Sequence, residues 1–305
     1  DLVVTMQKTE IGRELLELNE MSALAIMKEH FENDKLRAML LYATCMWGLH
    51  PDETGLGLFV PLLLTRAMDK AVLLGGSHKL AGAFAREIVR NGGLILDNTQ
   101  ATRIIMEGGK VTGVDTMEGR TLHSNVVISS LDPKSTFLDL IGPKNLPGTF
   151  LKESAESWKD DKWSYYTLHT VSKEMPKYKC DDPWADESFM TVVGFDSSDQ
   201  IMQHWKNVVN GKLDHKLIGG HVTCESYWDP HLVRKPGGHV SFFQMHAPYG
   251  IEGGWEKKNK EVEAAVLEKW HKAAPNMKKE NIIMTLGETP EDIENLINVF
   301  LAHDG

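Results

Sequence analysis

Thirteen histidines and three cysteines, with no recurring spacing among them, set the first limit on the chemistry this sequence can carry. A zinc site needs ligands a few residues apart, as in HExxH or CxxC. Neither pattern occurs, and no His/carboxylate cluster has ligand spacing, so no metal is expected. The GxSxG elbow of a serine hydrolase is also absent. Cys45, Cys180 and Cys224 stand far apart in the chain, which gives the expectation of unpaired thiols in a reducing compartment. What remains for proton transfer is His50, Asp52 and Glu53 in the turn "HPDETGLG", and His239 after "KPGG". Each is a candidate acid or base, with a surface or satisfied structural role as the plainer alternative.

The stretch "LLGGSHKLAGAFAREIVRNGGLILDNTQATRI", residues 73–104, invites a different chemistry. A dinucleotide fingerprint needs GxGxxG after a strand: one glycine makes the turn, one lets the backbone approach the pyrophosphate and one lets the helix pack. Gly75, Gly76 and Gly82 do not have that spacing, and no GxxxxGK[ST] occurs. The stretch is a glycine-started helix whose free amides could attract an anion, or a tight turn with no ligand.

The elements that position these residues follow from periodicity. Residues 12–48 place apolar side chains three and four apart, which predicts two packed helices, the second capped by Asn33 or Asp34. "LFVPLLLTRAMDKAVLL" is strongly apolar and interrupted by Pro61; it reads as a buried core helix or as the lining of a greasy cavity. From 73 to 141 the pattern becomes a helix and four or five short strands, turning at Gly108-Gly109 and Glu118-Gly119, with "NVVIS" as a buried strand. Further on, strands are expected near "YYTLHTVS", "FMTVVGF" and "HVSFFQMHAP", and helices near "SDQIMQHWKNVVN" and "KKNKEVEAAVLEKWHKAA". The acidic run "ESAESWKDDKW" reads as a solvated helix face.

Composition narrows the class. With 42% hydrophobic and 25% charged residues, the 305-residue chain is that of an ordinary globular protein with one large or two medium domains. A net charge of −10 without a basic block argues against nucleic-acid binding. No apolar run is long enough to span a bilayer, so a cytoplasmic location is expected, with peripheral membrane contact still open.

The order of GG turn, helix, "NGG", strand, "ATRI" strand, glycine hairpin "KVTGVDTMEGR" and "SNVVISSLDPKSTFLDLIG" resembles the phytoene desaturase-like FAD-dependent oxidoreductases, and more broadly the flavin amine oxidase class. "WDPHLVRKPGGHVSFFQMHAP" and "ETPEDIENLI" agree with it. The resemblance implies an α/β (mixed α+β) fold: part of a two-domain, Rossmann-like FAD/NAD(P)-binding flavoprotein with a mixed-sheet substrate domain. Residues 1–72 would be a helical part of the substrate domain, 73–141 part of the FAD domain, and 142–305 the rest of the substrate domain. It implies FAD as cofactor, held near its adenine end by the backbone of Ala101, with Ser129, Ser130 and Leu131 next, and Gly75 and Gly76 at the start of the helix.

The implied chemistry is hydride transfer between flavin and a carbon-carbon bond of an apolar, isoprenoid or polyunsaturated small molecule. The cofactor carries it, so an acid or base is not mandatory. The family's GxGxxG segment and its second glycine-rich motif are absent. The expectation is therefore that the residues are the middle of a longer chain, that a second chain supplies the GxGxxG segment, or that FAD binding has been lost. The alternatives to a desaturase-type enzyme are a non-catalytic subunit or binding module, and a redox-neutral flavin-dependent cis-trans isomerase.

Overall fold

The computed structural model describes residues 2–69, 71–146, 148–158, 162–180, 182–233 and 237–295. Parts of "KPGG", of the acidic run and of "ETPEDIENLI" lie outside them. In chain order, α1 (Leu2–Met6), α2 (Glu10–Asn19), α3 (Ala23–His30), α4 (Asp34–Cys45) and α5 (Phe59–Met68) precede α6 (His78–Arg90). A meander of β1 (Ala101–Glu107), β2 (Lys110–Thr116) and β3 (Thr121–His123) is followed by a π-helix (Lys134–Ile141) and α7 (Thr149–Ser157). The remainder is β4 (Trp163–Ser172), β5 (Thr191–Val193), α8 (Ser198–Val209), β6 (Gly220–Thr223), α9 (Glu225–Trp228), β7 (His239–Pro248), α10 (Trp255–Ala273) and β8 (Ile282–Glu288).

The chain divides into two compact units, residues 1–83 with 162–293, and residues 84–161 with 294–305. The first is built on a five-stranded sheet of order β5-β6-β7-β4-β8, whose ladders are all antiparallel. Strand residues alternate between its two faces. One face, with Tyr166, Leu168, Val222, Phe243 and Met245, packs on Val262, Val266 and Trp270 of α10 to form the main core. A second core joins α3, α4, α5 and α8 through Met27, Leu41, Tyr42, Val60 and Ile201.

The N-terminal helices follow their caps. Thr9, Ser22 and Asn33 each accept a backbone N–H of the first turn that follows, at 3.0–3.2 Å. Ser22 explains why the expected first long helix is two: its hydroxyl restarts the helix after the break at residues 20–21. Pro61 does not interrupt α5 but sits in its first turn, where the missing N–H costs little. The expectation of a buried core helix is corrected here, because within α5 only Val60 is fully buried while Phe59 and Leu62 face outward.

The second unit holds the meander in the order β1-β2-β3, with positive-φ glycines at Gly108, Gly109 and Gly119 making the turns. Two expected strands do not form. Residues 94–98 and 125–129 lie outside every ladder, and Leu94 and Ile128 are 84% and 92% exposed. The alternation is present, but a strand exists only in a ladder, and no described segment pairs its backbone with either of these as a strand.

In the first unit the GG turn is locked from afar. Gly75 and Gly76 both adopt φ near +90°, a region glycine enters without steric cost. The Gly75 N–H donates to Oδ2 of the fully buried Asp229 at 2.6 Å, whose other oxygen accepts from His231 N. Removing that carboxylate leaves two amides without their partner. Asp229→Ala is expected to lower stability by about 2–3 kcal/mol, and Asp229→Asn, which keeps an acceptor oxygen, by clearly less. Urea-denaturation midpoints of the two variants check this, and equal losses would remove the latch from the account.

Candidate active site

The face of the sheet turned away from α10 carries Tyr165, Thr167, His169 and Val171 of β4, His221 of β6, Phe242, Gln244 and His246 of β7, and Met284, Leu286 and Glu288 of β8. Helices α4 and α8 cover only one end of it. There the Tyr42 hydroxyl donates to the Gln244 carbonyl (2.9 Å) and lies 3.1 Å from Nδ1 of His221. The His246 Nε2–H donates to the Cys45 carbonyl (3.2 Å), the His204 Nε2–H to the His246 carbonyl (3.0 Å), and the Tyr165 hydroxyl to the Met46 carbonyl. Trp163 and Trp205 close edge-on around His246.

These groups are structural. Burial holds the His204 imidazole down to about 4 and that of His246 to about 3, the latter further depressed by His204 beside it. Burial likewise pushes the Cys45 thiol and the Tyr165 hydroxyl up to about 12. At neutral pH all four are uncharged; the two imidazoles and the Tyr165 hydroxyl each donate to a main-chain carbonyl, and the Cys45 thiol lies 3.9 Å from Thr44 Oγ1.

The other end of the same face is open. His169 and Glu288 meet there across adjacent strands, Nε2 to Oε2 at 3.4 Å, with both side chains partly exposed. The register pairs His169 with Leu286 and Thr167 with Glu288, so the contact is diagonal. Around it lie the half-buried Phe242, whose ring is 6.4 Å from that of His169, and Leu286 and Met284, which are 62% and 58% exposed. Gln244 Nε2 donates to Thr167 Oγ1 at 3.1 Å and is thereby fixed. Behind the pair, burial pushes the Glu225 carboxyl up, while the charge of His169 pulls it down and that of Asp229 adds to the rise. The result is an apolar, solvent-open surface with one imidazole–carboxylate couple set into it.

The residues expected from sequence fall elsewhere. His50 and Glu53 pair loosely at 3.8 Å in the turn after α4, and His50 packs edge-on against Trp205; Asp52 is exposed in the same turn. His239 opens β7, at the opposite end of that strand from His246, with Nδ1 3.4 Å from Ser226 Oγ. The structure does not bring these four together.

Gly75 and Gly76 spend their N–H groups inside the protein, on Asp229 and on the Leu73 carbonyl, so they make the turn and offer no amide to a phosphate. Ala101 begins the edge strand β1, which pairs only with β2 and leaves its other backbone edge open among the described residues. Ser129 Oγ is taken up by Thr136 Oγ1 (2.8 Å) and Leu131 N, while Ser130 and Leu131 are exposed. Among the described residues no group of three His, Cys, Asp or Glu side chains is arranged to hold a metal ion, and no helix is long and apolar enough to cross a membrane.

Comparison with known proteins gives this geometry its setting. No family model matches the chain. It is 29% identical over 269 residues to a limonene dehydrogenase subunit of Castellaniella defragrans, covering 83% of this chain and 49% of that one. It is 29% identical over 143 residues to a lycopene-forming phytoene desaturase of a Paracoccus species, covering 47% of this chain and 28% of that one. An oxidoreductase from Methanosarcina mazei superposes with a TM-score of 0.56 over 88% of this chain and 56% of that one, at 16% identity. The architecture is thus a mixed α/β fold shared with that oxidoreductase. By sequence the chain is similar to that limonene dehydrogenase subunit and to phytoene desaturases, over part of their length. It spans about half the length of the curated relatives that it matches over most of its own residues.

The buried histidines make the covered end of the sheet sensitive to acid. An unfolded histidine takes a proton near pH 6.5, whereas folded His204 and His246 resist it down to about 4 and 3. Their contribution is therefore complete above pH 6.5 and is lost progressively as the pH falls, on the order of 2 kcal/mol per imidazole by pH 5. Urea midpoints at pH 7.5 and pH 5 should show this loss, and His204→Gln, which keeps a donor for the His246 carbonyl but does not titrate, should reduce it. A wild-type slope in that variant counts against the assignment.

Proposed function

We propose that the chain belongs to an FAD-dependent oxidoreductase of phytoene desaturase-like type, acting on a carbon-carbon bond of an apolar, isoprenoid-like substrate. The observation that carries this reading is the bare apolar surface of the second unit: Phe84, Ile88 and Val89 of α6, residues 94–96, Val126, Ile128 and Leu131 are all exposed, in a chain whose relatives are oxidoreductases about twice its length. A surface of that kind is normally covered. The cover proposed is the missing GxGxxG strand and helix, carried by the same protein or by a second chain. The name of one relative as a subunit favours the second arrangement.

In this reading the open backbone edge of β1 at Ala101, with Ser129, Ser130 and Leu131, holds the adenine side of FAD. Bound flavin supplies two-electron hydride chemistry. The chain's own part is to bind and orient the substrate. Phe242, Met284 and Leu286 offer it an apolar bed, and the exposed Phe59 and Leu62 of α5 offer contact with a lipid surface from which such a substrate is drawn.

The protein, purified with whatever chain accompanies it, should show an oxidised-flavin absorption spectrum that is bleached by substrate under anaerobic conditions. This chain produced alone should take up little FAD, because no pyrophosphate cradle is present in it. A colourless complex that takes up no added FAD overturns the reading. Flavin binding without turnover in any assembly would favour a subunit role. Flavin-dependent conversion between substrate and product of equal mass would favour the isomerase.

A further inference from the structure

We propose that His169, oriented by Glu288, is the proton-transfer residue of the reaction, and that the open half of the sheet face is where the substrate lies. The inference rests on the flavin reading above. Removing two hydrogens from a carbon-carbon bond takes one of them with its bonding electron pair and the other as a proton. The hydride goes to the flavin, the oxidant. The electron pair of the second C–H bond becomes the new π bond, and its proton needs an acceptor. Loss of hydride leaves electron deficiency on the first carbon, which makes the neighbouring C–H acidic enough for an imidazole to take its proton. Saturation runs the same transfer backwards.

Three features single out His169. It stands on the sheet face among Phe242, Met284 and Leu286, so an apolar chain lying on those residues covers it. In the tautomer that donates from Nε2 to Glu288 at 3.4 Å, the lone pair on Nδ1 is left to receive a proton, and the carboxylate stabilises the imidazolium that forms. Among the described residues it is also the one imidazole of this open half; His221 and His246 lie buried under α4, and Gln244 is held by Thr167. An exposed imidazole–carboxylate contact contributes little to stability, so the pair is poorly explained as a fold-holding contact.

The test uses the protein with its accompanying chain, and limonene and phytoene in detergent micelles as probes. Carbethoxylation of His169 by diethyl pyrocarbonate, mapped by mass spectrometry, should be suppressed by at least one probe, while that of His215, which pairs with Glu261 elsewhere on the unit, continues. This readout needs no flavin. Under anaerobic conditions His169→Gln should leave the flavin spectrum and probe affinity within about twofold of wild type yet slow flavin reduction by about 100-fold or more. Glu288→Gln should slow it less and displace its pH profile. Unprotected His169 in the wild-type protein, or a His169→Gln variant that binds the probe and reduces its flavin at the wild-type rate, overturns the inference while leaving the oxidoreductase reading intact. Absence of flavin from the wild-type complex overturns the reading beneath it.

Discussion

The β4–β7 ladder is the constraint on which the first unit depends. It runs without a register shift from Trp163 opposite Pro248 to Ser172 opposite His239. Because side chains alternate, that one register decides both faces. Tyr166, Leu168, Phe243 and Met245 are sent to α10, and Tyr165, Thr167, His169, Phe242, Gln244 and His246 to the other side. A slip of one residue would place His169 against Trp270 and expose Leu168. The candidate site therefore inherits its position from core packing on the far face, which has no chemistry of its own.

The covered end of the functional face is unusually polar for a buried layer. Tyr42, His204, His221 and His246 are all nearly inaccessible, and their partners are mostly main-chain carbonyls at the end of α4 and along β7. Carbonyls accept from neutral donors without demanding a charge, so this layer is stable only while its imidazoles stay neutral. The open end has the opposite character. There the imidazole meets a carboxylate instead of a carbonyl, and water reaches both. One sheet face thus holds histidines in two electrostatic settings, one buried among carbonyls and one open to water beside a carboxylate.

Much of this architecture was legible in the sequence. The helices at 198–209 and 255–273, the strands at 163–172 and 239–248 and the glycine hairpins of the meander follow from periodicity and turn residues. Asn33 caps the helix it was expected to cap. The site was not legible, because His169 and Glu288 are 119 residues apart and meet only through the β4–β8 register, which no local spacing encodes. Asp229 escaped for the same reason. It lies in the "WDP" stretch that marks the resemblance, yet its role toward Gly75, 154 positions away, depends on the tertiary fold.

The two missing strands show the same limit from the other side. Residues 94–98 and 125–129 carry the apolar composition of buried strands, and their side chains are exposed where such composition would be buried. Local propensity states what a segment is suited to, and only a neighbour with free backbone groups converts suitability into a ladder. In the first unit every described apolar strand has found such a neighbour and a layer of helix. In the second, Ile104, Thr116 and Thr136 are buried and most of the larger apolar side chains are not. Residues 94–98 and 125–129 and the part of α6 from Phe84 onward therefore present apolar side chains to solvent. The proposed flavin-binding segment is the element of this fold class that would cover them.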